Sequence, residues 1–244
     1  MTQSKLSVAE IFGPTLQGEG ALAGQKTMFI RFAYCDGAGG GWCRWCDSLY
    51  AVDPKNRSEW QFLDAQEVFD IVDLMAAEGC KHVTLTGGNP ALYELGGLVK
   101  LLRSSRYTTH VETQGTVFRP WLLGCTTVTV SPKPPSAGEC DVIRFMQFME
   151  AMMNPMYPSR RLICKIVVDP SRDDDYDFAR RIFSQYPRNV EKYLSALTLL
   201  TDDCGTLLER YRRLADRVVA DPDFQDVGVL PQLHVVLWGH GRGV

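Results

Sequence analysis

Three cysteines in a short, glycine-rich stretch are the residues whose type and spacing point most directly to chemistry. Cys43 and Cys46 are separated by two residues, a spacing that lets both sulfurs reach one metal centre. Cys35 precedes Cys43 across seven residues, four of them glycine, so the chain can fold back to add a third thiolate. Three thiolates suit an iron–sulfur cluster with one open iron, or a catalytic zinc with an open position. A thioredoxin-like pairing of Cys43 with Cys46 would leave Cys35 unexplained.

Polar residues and glycines also follow three apolar runs that have the length of strands. The first run leads into Thr86–Gly87–Gly88–Asn89–Pro90, where two glycines would let a small ligand approach the backbone. A plain tight turn between a strand and a helix is the alternative interpretation of this motif. The other two runs lead into Glu112–Thr113–Gln114–Gly115 and into Ser131–Pro132–Lys133. In parallel sheets the carboxyl ends of the strands carry the chemistry, which makes these turns candidate parts of one site.

The elements that must position these residues alternate between strand and helix. Six apolar runs predict strands, and the room between them predicts βα units. Asp64 and Glu67 predict a capping box for a helix over Ala65–Glu78 that Gly79 closes, with further helices beginning at Pro90, near Asp141, at Asp173 and at Thr206. We therefore expect an α/β fold, a partial (βα)6 TIM-type barrel. The predicted strands are Thr27–Tyr34, His82–Thr86, Tyr107–Glu112, Thr126–Ser131, Leu162–Val168 and Tyr193–Leu200.

Composition and charge exclude several classes of protein. The 244 residues, 45% hydrophobic and 23% charged, are typical of a globular chain that buries a core. A net charge of −3 gives no broad basic field for a nucleic-acid backbone. We find neither a run of about 20 apolar residues nor the apolar core of a signal peptide, and we expect a cytoplasmic protein with no nucleic-acid or membrane partner. In a reducing compartment the cysteines indicate a metal or redox role rather than a disulfide framework.

The motifs together resemble those of the radical S-adenosylmethionine superfamily and, more narrowly, the 7-carboxy-7-deazaguanine synthase family. The cysteine loop, the Gly-Gly-Asn-Pro turn and the six-unit pattern carry the wider likeness. Four further segments, in the same order along nearly the whole chain, carry the narrower one. They are EIFGPTLQGEG from Glu10, VETQGT from Val111, SPKPPS from Ser131, and LPQLHVVLWG from Leu230 followed by RGV.

The resemblance implies a cofactor set and its ligands. Cys35, Cys43 and Cys46 would hold three irons of a [4Fe–4S] cluster, and S-adenosylmethionine would bind the fourth. One electron would then cleave the sulfonium to a 5′-deoxyadenosyl radical. Ser48 would ligate Mg²⁺, although a helix-capping role with Asp47 is an equal alternative. The residues expected to contact S-adenosylmethionine are Trp45, Cys46, Asp47, Gly88, Asn89, Ser131, Pro132 and Lys133.

The substrate implied by the resemblance is 6-carboxy-5,6,7,8-tetrahydropterin. It would undergo ring contraction with loss of ammonia to 7-carboxy-7-deazaguanine, a carbon–nitrogen lyase reaction in 7-deazapurine (queuosine) biosynthesis. Arg31 would pair with a carboxylate. The chain would form a single domain over residues 1–244, with an N-terminal substrate-binding segment and a C-terminal tail that closes the site. The residues expected to contact substrate are Leu16, Gln17, Gly18, Glu19, Arg31, Thr86 and Val244.

Two positions depart from the superfamily pattern. The usual loop has three residues between its first two cysteines, where this chain has seven, and we expect the extra glycines to loop out without separating the sulfurs. Asn89 stands where glutamate is more common, and its amide oxygen can still accept a hydrogen bond from an amino group.

The partners implied are a flavodoxin-like electron donor and a second copy of the chain in a homodimer. Two alternatives for the function stay open at this point. One is another radical enzyme of the superfamily, such as a glycyl-radical activating enzyme, whose partner is a protein. The other is a non-catalytic zinc-binding interaction module.

Overall fold

One mostly parallel sheet forms the framework of the protein in a computed structural model that describes residues 5–38, 40–77, 79–138, 141–156, 160–186 and 189–243. Within these residues nine strands lie in the order β3-β1-β2-β4-β5-β6-β7-β8-β9. The pairings from β2 through β9 are all parallel, and β1 runs antiparallel to both β2 and β3. The strands are β1 (Leu6–Leu16), β2 (Lys26–Phe32), β3 (Gln61–Leu63), β4 (His82–Gly87), β5 (Thr108–Thr113), β6 (Thr127–Val130), β7 (Arg161–Val168), β8 (Val190–Ala196) and β9 (Val227–Leu230).

The nine strands of the described residues do not close into a full barrel, so the prediction of a partial α/β barrel is confirmed, and all six predicted strands are present. Sequence reasoning missed β1, β3 and β9. β1 spans 11 residues but is interrupted by Gly13–Pro14 and by two irregularities in its pairing with β2, which hides its alternation. β3 has only 3 residues, too few to show a period, and the 4-residue β9 contains Gly228, which weakens its strand signal.

Helices connect most of the parallel strands and cover the outer face of the sheet. Val83 and Leu85 of β4 are fully buried in the same core as Val68 and Val72 of the second helix. Because side chains alternate along a strand, Thr84 and Thr86 point to the inner face instead. The helices are α1 (Leu49–Val52), α2 (Ala65–Ala76), α3 (Gly96–Ser104), α4 (Val142–Met152), α5 (Asp173–Ser184), α6 (Cys204–Ala220) and α7 (Leu233–Trp238). Short 3-10 helices span Gly20–Leu22, Pro54–Glu59, Pro90–Leu92, Pro120–Gly124 and Pro222–Phe224.

Most predicted helix starts are confirmed, and the exceptions have local causes. Asp64 and Glu67 form the capping box of α2, and Asp141 caps α4. The end of α2 was predicted too late, because the helix stops at Ala76 and the chain turns at Ala77 with a φ of 47°. Pro90 starts only a 3-10 turn, and α3 begins at Gly96. α6 begins at Cys204, because the Asp203 side chain accepts the backbone N–H of Thr206.

No helix among the described residues is long and apolar enough to cross a membrane.

Candidate active site

The cysteine loop leaves the carboxyl end of β2, and its glycines fold back on themselves. Ala38 and Gly41 exchange two backbone hydrogen bonds, 2.7 and 3.3 Å long. Gly37 has a φ of 69°, and a Cβ there would lie 1.9 Å from the Gly41 carbonyl oxygen, so the turn excludes larger residues. The side chains of Cys35, Cys43 and Cys46 influence one another electrostatically. The lengthened gap therefore loops out, and the three thiols remain close enough to interact electrostatically.

The three thiols are half-buried, and none of the described cysteines forms a disulfide. Burial raises the pKa of all three, that of Cys46 to about 11, while the Lys133 ammonium opposes the rise at Cys35 and Cys43. A bound cation must therefore displace the thiol protons.

The donor set fits a cluster. Among the described residues no group of three or more His, Cys, Asp or Glu side chains is placed to hold one metal ion. A cluster needs no such group, because each thiolate binds a different iron.

The Gly87–Gly88 turn at the end of β4 packs directly against the start of the cysteine loop. The Gly88 N–H donates to the Phe32 carbonyl at 3.1 Å, and a Cβ on Gly88 would lie 1.8 Å from the Tyr34 carbonyl oxygen. Glycine is required at position 88 because the turn after β4 and the start of the cysteine loop lie too close together for a side chain. That approach fixes the position of Cys35 relative to β4.

Asn89 lies behind this turn and has no exposed surface. Its Nδ2 donates to Asp36 at 2.8 Å, and its Oδ1 accepts from Thr113 at 2.8 Å and from the Ala91 N–H at 3.2 Å. The amide oxygen that we expected to meet S-adenosylmethionine is thus engaged by protein donors. In this arrangement Asn89 ties the cysteine loop to the ends of β4 and β5.

A cavity opens where the strand ends meet, and it collects most of the predicted site residues. Cys43, Cys46, Asn89 and Pro132 are outside its lining, and Val244 lies outside the described residues. The predicted residues that line it are Leu16, Gln17, Gly18, Glu19, Arg31, Cys35, Trp45, Asp47, Ser48, Thr86, Gly88, Ser131 and Lys133.

Arg31 is held at the cavity wall by a polar network. Its Nε donates to Glu10 Oε1 at 2.7 Å, and Nη1 donates to Ser48 Oγ at 3.2 Å. The Tyr50 hydroxyl donates to the same Glu10 oxygen. Ser48 occupies the N-cap position of α1, but its hydroxyl makes no capping bond and donates to Asp47 at 2.9 Å. The capping alternative for Ser48 is therefore wrong in its chemistry, although the position is right.

Glu112 lies in one of the turns predicted to be part of the site, whereas sequence reasoning did not assign Lys165, Gln232 or His234 to it. Glu112 accepts from Thr86 at 2.7 Å and from Gln17 at 3.1 Å. A usable signal existed for Lys165, because a single charge interrupts the otherwise apolar run LICKIVV. His234 packs so closely on Gly18 that a Cβ there would lie 1.9 Å from Nδ1 of its ring.

The C-terminal segment lies beside the cavity. The Arg242 guanidinium lies 3.7 Å from the ring centroid of Tyr50, and its Nη1 is 3.7 Å from Glu59 Oε2. Residues 239–243 border a second, smaller cavity that shares Arg31 and Ser48 with the first. Residues 239–243 therefore lie beside Arg31 and the groups bonded to it, and the next residue, Val244, is outside the described residues.

An open parallel α/β sheet with three thiols at the end of its first parallel strand defines a radical S-adenosylmethionine protein. The family model described as "Radical SAM superfamily" matches residues 30–131, which include the cysteine loop, the glycine turn and the end of β6.

The particular family follows from full-length relatives. The chain is 37% identical to the 7-carboxy-7-deazaguanine synthase of Bacillus subtilis, over 98% of each chain. It is also 37% identical to that of Bacillus cereus, over 99% of this chain and 100% of the relative. The crystal structure of QueE from Escherichia coli superposes with a TM-score of 0.66 at 22% identity, covering 94% of this chain and 95% of that one. The chain belongs to the 7-carboxy-7-deazaguanine synthase family.

Proposed function

We propose that this protein is a radical S-adenosylmethionine lyase that converts 6-carboxy-5,6,7,8-tetrahydropterin to 7-carboxy-7-deazaguanine with loss of ammonia. The observation that carries the proposal is the single cavity in which Cys35 and the glycine turn meet Arg31 and Glu19. Full-length relatives with this activity in their names support it. They favour it over a protein-activating radical enzyme and over a zinc-binding module.

The cysteine side of the cavity would hold the cofactors. Cys35, Cys43 and Cys46 would each bind one iron of a [4Fe–4S] cluster, and Trp45, Asp47, Gly88, Ser131 and Lys133 would line the S-adenosylmethionine site. Bound together, the two cofactors supply reductive radical chemistry. The protein's share is to orient them and to exclude water.

The opposite side would hold the pterin. Leu16, Gln17 and Gly18 would follow its edge, with Glu19 and Thr86 beside them. Arg31 has its Nε and Nη1 engaged by Glu10 and Ser48, which leaves Nη2 to meet the substrate carboxylate. The Ser48 hydroxyl, already next to Asp47, is our candidate ligand for Mg²⁺.

The tail and the partners complete the proposal. Val244 stands two positions after Arg242, which is anchored on Tyr50, and we propose that Val244 contacts the substrate. We expect one domain over the chain, a homodimer, an electron donor of the flavodoxin type, and the cytoplasm as the compartment that keeps the three thiols reduced.

Anaerobic turnover tests the function. Reconstituted enzyme with a chemical reductant, S-adenosylmethionine and the carboxytetrahydropterin should yield 7-carboxy-7-deazaguanine and ammonia in equal amounts. Cleavage of S-adenosylmethionine without the deazaguanine would retain the radical class and reject the substrate. Zinc without iron or sulfide in anaerobically purified protein would reject both.

A further inference from the structure

Lys165 is a buried cation inside the cavity with no role in the proposed function so far. It lies on β7 with 6% of its surface exposed, in register with Tyr193 of β8. The main chain at Gly20 passes against its stem, where a Cβ would lie 3.5 Å from the lysine Cδ. Burial of an ammonium is unfavourable unless it is paired, so its partner explains how the charge is tolerated.

That partner is Glu19, 146 positions earlier in the chain. Nζ of Lys165 donates to Oε2 of Glu19, and Oε1 of Glu19 accepts from Gln232 Nε2. The Lys165 ammonium, the neighbouring His234 and the Gln232 amide hold the pKa of Glu19 down at about 2, against the effect of its burial. Glu19 is therefore fixed as a carboxylate by groups from two distant segments.

The ammonium retains hydrogen-bonding capacity on the cavity side. A lysine has three N–H donors, and among the described residues Nζ has one hydrogen-bond partner. Glu112 attracts Lys165 electrostatically without a hydrogen bond between them. The cavity wall thus presents a carboxylate that can accept and, beside it, an ammonium that can donate.

We propose that Glu19 and Lys165 together recognise the lactam of the substrate's pyrimidinone ring, with Lys165 donating to the ring carbonyl oxygen. A lactam carries an N–H donor next to a C=O acceptor, which complements an acceptor next to a donor on the protein. This inference rests on the proposed function and assigns Lys165 as a substrate-binding residue. It also explains why a lysine, and not an apolar residue, occupies the centre of β7.

Ligand binding tests it without turnover. The product 7-carboxy-7-deazaguanine keeps the same pyrimidinone ring, and the matching 2,6-diamino compound replaces its carbonyl oxygen with an amino group. Isothermal titration of the holoenzyme with S-adenosylmethionine present should show wild-type protein preferring the oxo compound by at least about tenfold, as expected for a charged hydrogen bond. Equal affinity for the two compounds in the wild type would overturn the inference without any variant.

Variants then locate the effect. Lys165→Met should bind the oxo compound at least about tenfold more weakly and discriminate less between the two compounds, and Lys165→Arg should restore part of the preference. Lys192→Met is the matched control, because Lys192 is equally buried on β8, pairs with Asp226 at 2.7 Å and does not line the cavity. Its affinities should equal those of the wild type. If Lys165→Met does not fold, the double variant Glu19→Gln, Lys165→Met removes both charges, and a full oxo preference in it would contradict the assignment.

No detectable binding of the oxo compound by wild-type holoenzyme would reject the proposed function itself. A wild-type preference that persists in Lys165→Met would reject only the role of Lys165.

Discussion

The two sides of the cavity are built in different ways. The cysteine side comes from short motifs at the ends of successive strands β2, β4, β5 and β6, and its backbone segments bond directly to one another, as the Gly88 N–H bonds to Phe32. The substrate side joins Glu19, Lys165 and Gln232 across separations of 146 and 213 positions. The proposed cofactor site is thus compact in sequence, while the proposed substrate site is assembled from remote segments.

The largest effect should come from a cysteine ligand. Cys43→Ala should abolish both iron binding and activity, because an iron of the cluster loses its thiolate. Iron and sulfide content and visible absorption measure this. Cys204→Ala is the control, because Cys204 is an exposed free thiol at the start of α6. Full iron content in Cys43→Ala would remove the ligand assignment and, with it, the contrast between the two sides.

A change on the substrate side should separate the two functions of the cavity. Arg31→Lys keeps the charge but loses the planar fork, so deazaguanine formation should fall roughly 10- to 100-fold while uncoupled S-adenosylmethionine cleavage stays measurable. Parallel assays of the deazaguanine and of 5′-deoxyadenosine report the two. Unchanged substrate kinetics would show that Arg31 does not bind the carboxylate of the substrate.

A buried histidine pair on the inner face of the sheet should make the stability of the folded protein depend on pH. His82 Nδ1 and His110 Nε2 lie 3.0 Å apart, and burial with the neighbouring His82 lowers the pKa of His110 from its ordinary 6.5 to about 4. Between pH 6.5 and pH 4 the unfolded state binds a proton at His110 that the folded state does not bind. The stabilisation from the neutral, buried His110 is therefore complete above pH 6.5 and is lost as the pH falls toward 4. Urea unfolding should show about 1–2 kcal/mol less stability from this source at pH 5 than at pH 7.

The variant His110→Gln isolates that contribution. Its loss of stability between pH 7 and pH 5 should be smaller than that of the wild type. Parallel curves for the two proteins would show that folding does not lower the pKa of His110.

The smallest effect should come from the tail. Arg242→Ala removes the contact with the Tyr50 ring, worth about 0.5–2 kcal/mol, and should raise KM for the pterin about 2- to 30-fold with little change in kcat. Steady-state kinetics measure this, and Arg212→Ala, on the outer helix α6, serves as the control. An unchanged KM would leave the tail without a part in closing the site.

Much of the fold and half of the site could be predicted from the sequence. Six strands follow from apolar runs and α2 from its capping box, because both signals are local. The cysteine loop could be read because its spacing and its glycines are adjacent in the chain. β1, β3 and β9 could not be found, since β1 is interrupted, β3 has only 3 residues and β9 is a short strand that contains a glycine.

The residue types of the cysteine side were thus determined by sequence alone. They are three thiols, a pair of glycines, and polar turns after apolar strands. Only the tertiary structure decided that Asn89 supports the loop from behind, that the Ser48 hydroxyl turns to Arg31, and that Lys165 meets Glu19. The physical reason is distance along the chain. Local hydrogen bonds and backbone geometry leave a pattern in neighbouring residues, whereas a buried ion pair between remote segments depends on how the whole sheet brings its strand ends together.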